Sequence, residues 1–482
     1  MLRERGVLRL RESSPVHGLE RRRLGAVKVF AQSVSGAAPS TAMAATPVIV
    51  AASAGGGTVW SFAVATALAL LIAGCIARFT RRMAAPGGLY SLTAKGLPPA
   101  AAFTCGMALL IGYGLLAAAA LAGAAGYLEA LVVRLGGPGG PGLTIPVVLL
   151  VGGLVGALAL RGVRLSAQVV LLVESVAITL MVAVFALLLI SGAGSGAGDA
   201  VPTTEPGLSG IAAGVLPALA AFIGFEVATA LGAEARRPFR SVPRAVTATA
   251  AVAGVLYLFA AQTQVVGSAA LPGGLAAQPE PVLDLAAAQG WAFVPPLLDL
   301  GLVMSFLACA LATTTALVRV LFSLSRDGVT AAALGRTHPR FRTPHVALAG
   351  ALPVLVAVLV VPLAAGIPVG LALVTLLTLA TCGFLVAYLL VCLAAPVFLH
   401  RIGELTWPAV AATAVIVPIL LLALVAFVAR SPSTVLVLAG LALLGVAWFG
   451  WLRRWRPAQL RAIGVYDETV AADVLGRPGR AA

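Results

Sequence analysis

Seven carboxylates lie within or beside apolar stretches of this chain: Glu129, Glu174, Asp199, Glu205, Glu226, Asp284 and Asp299. An acid in such surroundings can take up a proton or hold a cation, so it is a functional candidate by default. Glu226 closes the run Phe222-Ile223-Gly224-Phe225-Glu226, where a glycine interrupts an apolar helix just before the acid. Glu174 stands nine residues into another apolar run, about 13 Å along a helix. A charge at that depth costs a few kcal/mol or more, and the alternatives to function are protonation or a hydrogen bond to a neighbouring helix. Asp199, Glu205 and Asp284 fall in expected loops. Glu129 and Asp299 fall at run ends, where a solvated acid is unremarkable. Thr313, Thr314 and Thr315 form a row of hydroxyls that suits a small cation such as sodium, although threonine more often bonds between membrane helices. No D-D-x-x-D, H-E-x-x-H or G-x-G-D pattern is present. The reading therefore expects no catalytic residue and no enzyme. The five cysteines sit inside apolar runs and none of the four histidines lies well within one. Neither a metal site nor a cofactor is expected.

The elements that must carry these residues follow from composition. Of 482 residues, 60% are hydrophobic and only 10% charged, where a soluble domain carries about 25% charged residues. The bilayer is therefore the solvent, and the backbone must satisfy itself in helices. Continuous apolar runs exclude a barrel of alternating strands. Twelve spans are expected near 27–51, 57–77, 100–130, 143–160, 166–192, 211–231, 245–269, 297–323, 345–364, 368–398, 407–429 and 433–452. The net charge of +15 invites a nucleic-acid partner, but position decides against one. Only Arg134 and Arg430, of 32 basic residues, fall in expected outer loops. That bias sets both termini in the cytoplasm of a multi-pass cell-membrane protein, with the lipid bilayer as its partner. The first 24 residues are Arg-rich and the first apolar run is too long for a cleaved leader. Outer loops such as Gly136–Gly142 and Ser191–Gly198 are short and rich in glycine. The segment 270–296 is long enough to hold a short helix, and the tail beyond Trp455 reads as polar and mobile.

Two spans carry interruptions. The first contains Ser35-Gly36-Ala37-Ala38-Pro39-Ser40 near its middle, and the sixth contains Gly224 past its middle. Spans five apart have opposite direction, and glycine- or proline-broken helices at matching places in inverted halves point to a central binding site. Pro39 removes a donor and obstructs the preceding turn. Such backbone survives at depth only when buried in protein or lining a wet cavity.

Four further stretches carry a family resemblance. They are Pro86-Gly87-Gly88-Leu89-Tyr90, the Gly224-Phe225-Glu226 element, the loop with Glu234, Pro238, Arg240, Pro243, Arg244 and Ala245, and Arg319 with Arg326-Asp327-Gly328 and Thr343-Pro344. In this order and at these topological positions the chain resembles the amino acid–polyamine–organocation superfamily of permeases. The resemblance implies an all-α membrane protein with a 5+5 inverted-repeat core and broken helices 1 and 6, plus two extra helices. The corresponding divisions are a tail at 1–26, a core at 27–400, two spans within 401–452, and a tail at 453–482. It implies secondary transport of an amino acid or related amine, coupled to protons or, less readily, sodium, or run as exchange. A substrate carboxylate would meet Ser35, Gly36, Ala37 and Ala38, and its amine the carbonyls at Phe222 and Ile223, beside Gly224 and Phe225. Glu226 is the favoured coupling or gating acid, with Glu174 second and Thr313 and Thr314 as a possible ion site. Arginines at the cytoplasmic ends would form ion pairs that close an inner gate.

The chain also departs from the pattern. Ala220 and Ala221 stand where some cation-carrying relatives have an aromatic gate, and Ala233 where many have a second acid. Ala177 stands where some have a basic residue. The departures bear on the alternative of a polyamine or other organic cation. A channel or sensor is the rival from another class, but no re-entrant filter motif supports it.

Overall fold

The computed structural model describes residues 14–191, 207–278, 280–429 and 432–468, and among them every regular element is helical. In chain order the helices are α1 (Ala26–Ala37), α2 (Pro39–Ala54), α3 (Thr58–Thr80), α4 (Leu89–Gly96), α5 (Pro99–Arg134), α6 (Pro141–Leu160), α7 (Val163–Ile190) and α8 (Leu208–Ala220). They continue with α9 (Pro238–Gly267), α10 (Pro281–Ala288), α11 (Val294–Arg326), α12 (His345–Ala364), α13 (Val369–Arg401), α14 (Trp407–Val428), α15 (Pro432–Trp455) and α16 (Pro457–Arg461). Each of the twelve expected spans has its helical counterpart. The first is split into α1 and α2, and the sixth into α8 and a 3₁₀ turn at Val227–Leu231. Among the described residues ten stretches are long and apolar enough to cross a membrane, one of them the folded pair Ala26–Thr80, and α8 is a shorter apolar helix. The protein is a multi-pass membrane protein.

Proline sets many of the boundaries. It occupies the first turn of α2, α5, α6, α9, α10, α11 and α14, where its missing donor costs nothing and its fixed φ suits the helix. The interior is built on α5 and α11. In α5 the stretch from Ala117 to Ala125 is buried and made only of Ala, Gly and Leu, and such small residues let neighbouring backbones approach closely. Gly112 meets the ring of Phe384 from α13, and Gly123 the ring of Phe306 from α11. By contrast α14 and α15 leave most of their apolar surface exposed, Leu436, Leu443 and Leu444 among it. That is the surface expected of helices standing in lipid outside the packed core.

Two expectations need correction. Asp299 is not a solvated acid, since it is 1% exposed and pairs with Arg134 at 2.7 Å. The tail beyond Trp455 is docked as far as residue 468, through contacts described below. The segment 270–296 does carry a short helix, α10. Asp199, Glu205, Arg430 and most of Ser191–Gly198 lie outside the described residues.

Candidate functional site

The first break is a single residue. Ala38 adopts φ 45° and ψ 59° between α1 and α2, a left-handed conformation that is uncommon for a residue with a side chain. Its amide still donates to the Ser35 carbonyl, and Ala42 donates back to the Ala38 carbonyl. The amides of Ser35, Gly36 and Ala37 belong to α1, so they are not free to hold a substrate carboxylate as expected. The donors left open are those at the start of α2, on Ser40 and Thr41, because Pro39 has none. The hydroxyls of Ser35, Ser40 and Thr41 are also buried without a hydrogen-bond partner among the described residues.

The second break is longer. After α8 the chain runs through turns at residues 221–226, with Gly224 at φ +95°, into the 3₁₀ segment. Phe222 and Ile223 are buried, and the Phe222 carbonyl accepts from the Phe225 amide at 3.3 Å. Gly224 lies against Gly36, and a Cβ on either would collide with the other's carbonyl oxygen. The sequence reading has a substrate approaching both glycines. In this structure they approach each other.

Side chains from neighbouring spans complete the junction. The Tyr257 hydroxyl on α9 lies 2.9 Å from the Ala221 carbonyl and 3.5 Å from that of Ala37, so one group bridges both breaks. Ser33 donates to the Phe225 carbonyl. Cys309 on α11 lies 3.6 Å from the Gly36 carbonyl, so this cysteine is more than packing. Tyr388 on α13 accepts from the Gly224 amide at 3.3 Å and donates to Glu226. The Tyr113 hydroxyl on α5 faces this acid, but neither it nor the other Glu226 oxygen has a partner within full hydrogen-bond geometry among the described residues. Sequence reading passed over Tyr113, Tyr257 and Tyr388. Their signal was rarity: the chain has six tyrosines, and these three sit inside apolar spans.

Glu174 stands apart from the Glu226 group. One oxygen accepts from Ser305 on α11 at 3.2 Å, and the other is unpartnered. Thr313 donates to the Cys309 carbonyl of its own helix at 2.6 Å, and Thr314 is buried beside it. The Thr313 hydroxyl thus has an ordinary intrahelical role. No cluster of metal-ligating side chains occurs among the described residues.

At the arginine-rich face three of the four motif stretches bind one another. Arg319 makes a two-pronged ion pair with Glu234 at 2.6 and 2.8 Å, both side chains buried, and donates to the Thr315 carbonyl at 2.7 Å. The Glu234 carbonyl accepts amides of Arg23 and Leu24 from the N-terminal tail. Tyr90 donates to Asp327 at 2.6 Å, and Asp327 also accepts the amides of Gly464 and Val465 from the C-terminal tail. Burial pushes the Asp327 carboxyl above its usual range, against these donors, which favour the ionised form. Lys95 lies over the Tyr466 ring at 4.1 Å. Asp467 joins the tails, accepting from Ser14 and Arg21, each at 2.8 Å.

These features define a helical membrane protein in which two broken spans meet at a shared junction beneath an interlocked face. The chain matches the amino acid permease family over residues 28–455 and belongs to it. It is 27% identical over 316 residues to the branched-chain amino acid permease BcaP of Bacillus subtilis, covering 62% of this chain and 66% of that one. It is 25% identical over 312 residues to the methylthioribose transporter of the same organism, again covering 62% and 66%. With the low-affinity putrescine importer PlaP of Escherichia coli K12 it shares 28% over 296 residues, or 58% and 62%. The matched stretch spans a little under two thirds of each of these relatives.

Proposed function

We propose that this chain is a secondary active transporter that moves an amino acid or related amine across the cytoplasmic membrane by alternating access. The observation that carries the reading is the junction at Gly36 and Gly224. Two chain breaks meet there, and buried polar atoms of Ser35, Ser40, Thr41, Tyr113 and Glu226 have no hydrogen-bond partner among the described residues. An unpartnered buried polar group costs about 1–3 kcal/mol, so a group of them at one place calls for an arriving ligand or water. The open amides and positive end of α2 suit a carboxylate. The carbonyls around Phe222 and Ile223, together with Glu226, suit an ammonium. Ser35, Gly36, Ala37 and Ala38 then line the approach while Ser40 and Thr41 supply donors. The core is the 5+5 repeat of residues 27–400, followed by two spans within 401–452, with tails at 1–26 and 453–482. The arginine-rich face and both termini lie in the cytoplasm.

Coupling is to protons, or the transporter exchanges substrates, with Glu226 as the coupling acid. Through Tyr388 this carboxylate is joined to the Gly224 amide, so a proton on Glu226 changes which bonds hold the second break. Glu174 is the second candidate. Sodium coupling draws less support, since the Thr313 hydroxyl is turned onto its own helix. A polyamine or other organic cation is the second reading of the substrate, favoured by the free oxygen of Glu226. The test is uptake of labelled amino acids and putrescine into proteoliposomes, with and without a pH gradient, for wild type, Glu226→Gln and Glu174→Gln. A coupling acid loses concentrative uptake but keeps exchange. If Glu226→Gln concentrates substrate as wild type does, its assignment is wrong.

A further inference from the structure

Six arginines of the described chain are paired with acids: Arg21, Arg22, Arg82, Arg134, Arg164 and Arg319. Arg326 and Arg336 have no acidic partner among the described residues, yet both line one recess on the arginine-rich face. The recess has a volume of about 690 Å³ and includes His17, Ser325, Thr337 and His345, with no carboxylate among the described residues of its wall. Arg326 turns one end of its guanidinium to His17, donating to the carbonyl at 3.0 Å and meeting the ring nitrogen at 3.3 Å. The imidazole Nδ1 faces the Ser14 carbonyl at 3.2 Å, so the neutral tautomer protonated there leaves Nε2 to accept from Arg326. The flat of the guanidinium lies over Phe322 at 5.0 Å. What remains is the Arg326 Nε, buried and without a partner among the described residues, and His345 Nδ1 is in the same condition.

Orientation bias explains why arginines gather on this face. It does not explain two of them in the wall of one recess, with buried nitrogens left open and no acid among the described lining residues. A buried donor without an acceptor is costly, and guanidinium forks match oxyanions bidentately.

We propose that this recess is a binding site for a phosphate-type oxyanion, held by Arg326, Arg336 and His345. A carboxylate would satisfy one fork. A phosphate offers oxygens to donors arriving from α11, from the 332–339 loop and from the start of α12. The volume leaves room for the remainder of a phosphorylated molecule. Such an anion ties the N-terminal tail, through His17 and Arg326, to the ends of α11 and α12. The phosphate can belong to a soluble compound or to a lipid headgroup, since the recess lies at the ends of two apolar spans, α11 and α12. The inference does not depend on the transport reading, because its readout is binding.

The test uses the purified full chain in a neutral detergent, following its thermal unfolding midpoint with pyrophosphate against sodium chloride of matched ionic strength. The same measurement is made in nanodiscs of phosphatidylcholine with and without phosphatidylglycerol. Arg336→Gln is the main variant, since the Arg336 side chain makes no bond among the described residues and its loss should leave the unliganded midpoint unchanged. Arg453→Gln, exposed at the end of α15, controls for general charge. A soluble ligand predicts a saturable rise with pyrophosphate in wild type and Arg453→Gln, with its midpoint concentration raised about tenfold or more in Arg336→Gln. A headgroup predicts no response to pyrophosphate but a rise with phosphatidylglycerol that Arg336→Gln loses and Arg453→Gln keeps. No response in either arm, or one that Arg336→Gln retains in full, overturns the proposal.

Discussion

The junction of the two breaks and the arginine-rich face solve opposite problems with similar materials. At the junction nearly every bond joins neutral groups: Tyr257 to Ala221, Ser33 to Phe225, and Gly224 to Tyr388. Several polar atoms there are left over. At the face the bonds carry charge and converge, with Arg319 and Glu234 sealed together and Asp327 taking three donors. Neutral bonds of about 1 kcal/mol net can be exchanged for bonds to a ligand. A buried ion pair is harder to open, since separating it inside the protein leaves a charge without a partner. A transporter of the proposed kind needs both, a centre that re-forms its bonds around cargo and an inner closure that opens only when the whole arrangement shifts.

The largest effect should come from breaking the closure on one side. Arg319→Ala leaves Glu234 buried and unpaired, and a loss of about 3–5 kcal/mol is expected. It should appear as a steep fall in folded protein and thermal midpoint. Replacing both partners by methionine should recover much of that stability, because no charge is stranded. If the pair also closes the inner face, uptake should stay impaired in the double variant even where stability returns. A double variant that transports normally would show the pair to be structural only.

Next comes Gly224→Ala. The residue has positive φ and faces the Gly36 carbonyl, so a methyl adds conformational strain to a backbone collision. A cost of about 1–3 kcal/mol is expected, with uptake reduced at least as much as folded yield. Unchanged uptake would mean that the two breaks separate in the working states. Tyr388→Phe should be milder for folding, at about 1–2 kcal/mol, but specific for function. It removes the donor to Glu226 and the acceptor for Gly224 while keeping the ring against Phe225 and Phe384. Its signature would be slower uptake with little change in thermal midpoint, and with the pH dependence of uptake altered. An unaltered pH profile would separate Glu226 from coupling.

The spans were legible in the sequence because a bilayer leaves little choice: continuous apolar runs must be helices, and prolines mark where many begin. The breaks were legible for the same reason, since Pro39 and Gly224 are hard to place in an unbroken span. Which amides the first break frees was not. That depends on the single residue Ala38 taking a left-handed conformation, after which the open donors move to Ser40 and Thr41. The tyrosines around the junction were missed because their partners are backbone carbonyls and one acid on other spans, and such pairs leave no local pattern. Asp299 was misjudged because its partner Arg134 lies far away in sequence, and the C-terminal tail because its polar composition resembles a free tail.

The smallest effect expected, and the sharpest probe of the comparison, is at the outermost layer of the closure. Asp467 accepts from Ser14 and Arg21, and its amide donates to the Ala84 carbonyl at 2.7 Å. Its side chain is 1% exposed, but that of Arg21 is 20% exposed, so water screens part of the attraction. Asn at this position keeps an acceptor for Ser14 and the backbone bond to Ala84, and loses the charge. The cost should be about 1 kcal/mol or less, and salt should shrink the difference from wild type because a partly exposed pair is screened. If the tails brace the inner closure, Asp467→Asn should also make the tail beyond Trp455 easier to cut by protease, without changing the apparent substrate affinity. A loss as large as that of Arg319→Ala would place the tails within the closure itself. Equal protease resistance in variant and wild type would show that the Asp467 charge does not hold the tail, which its bonds to Asp327, Ala84 and the N-terminal segment then secure without it.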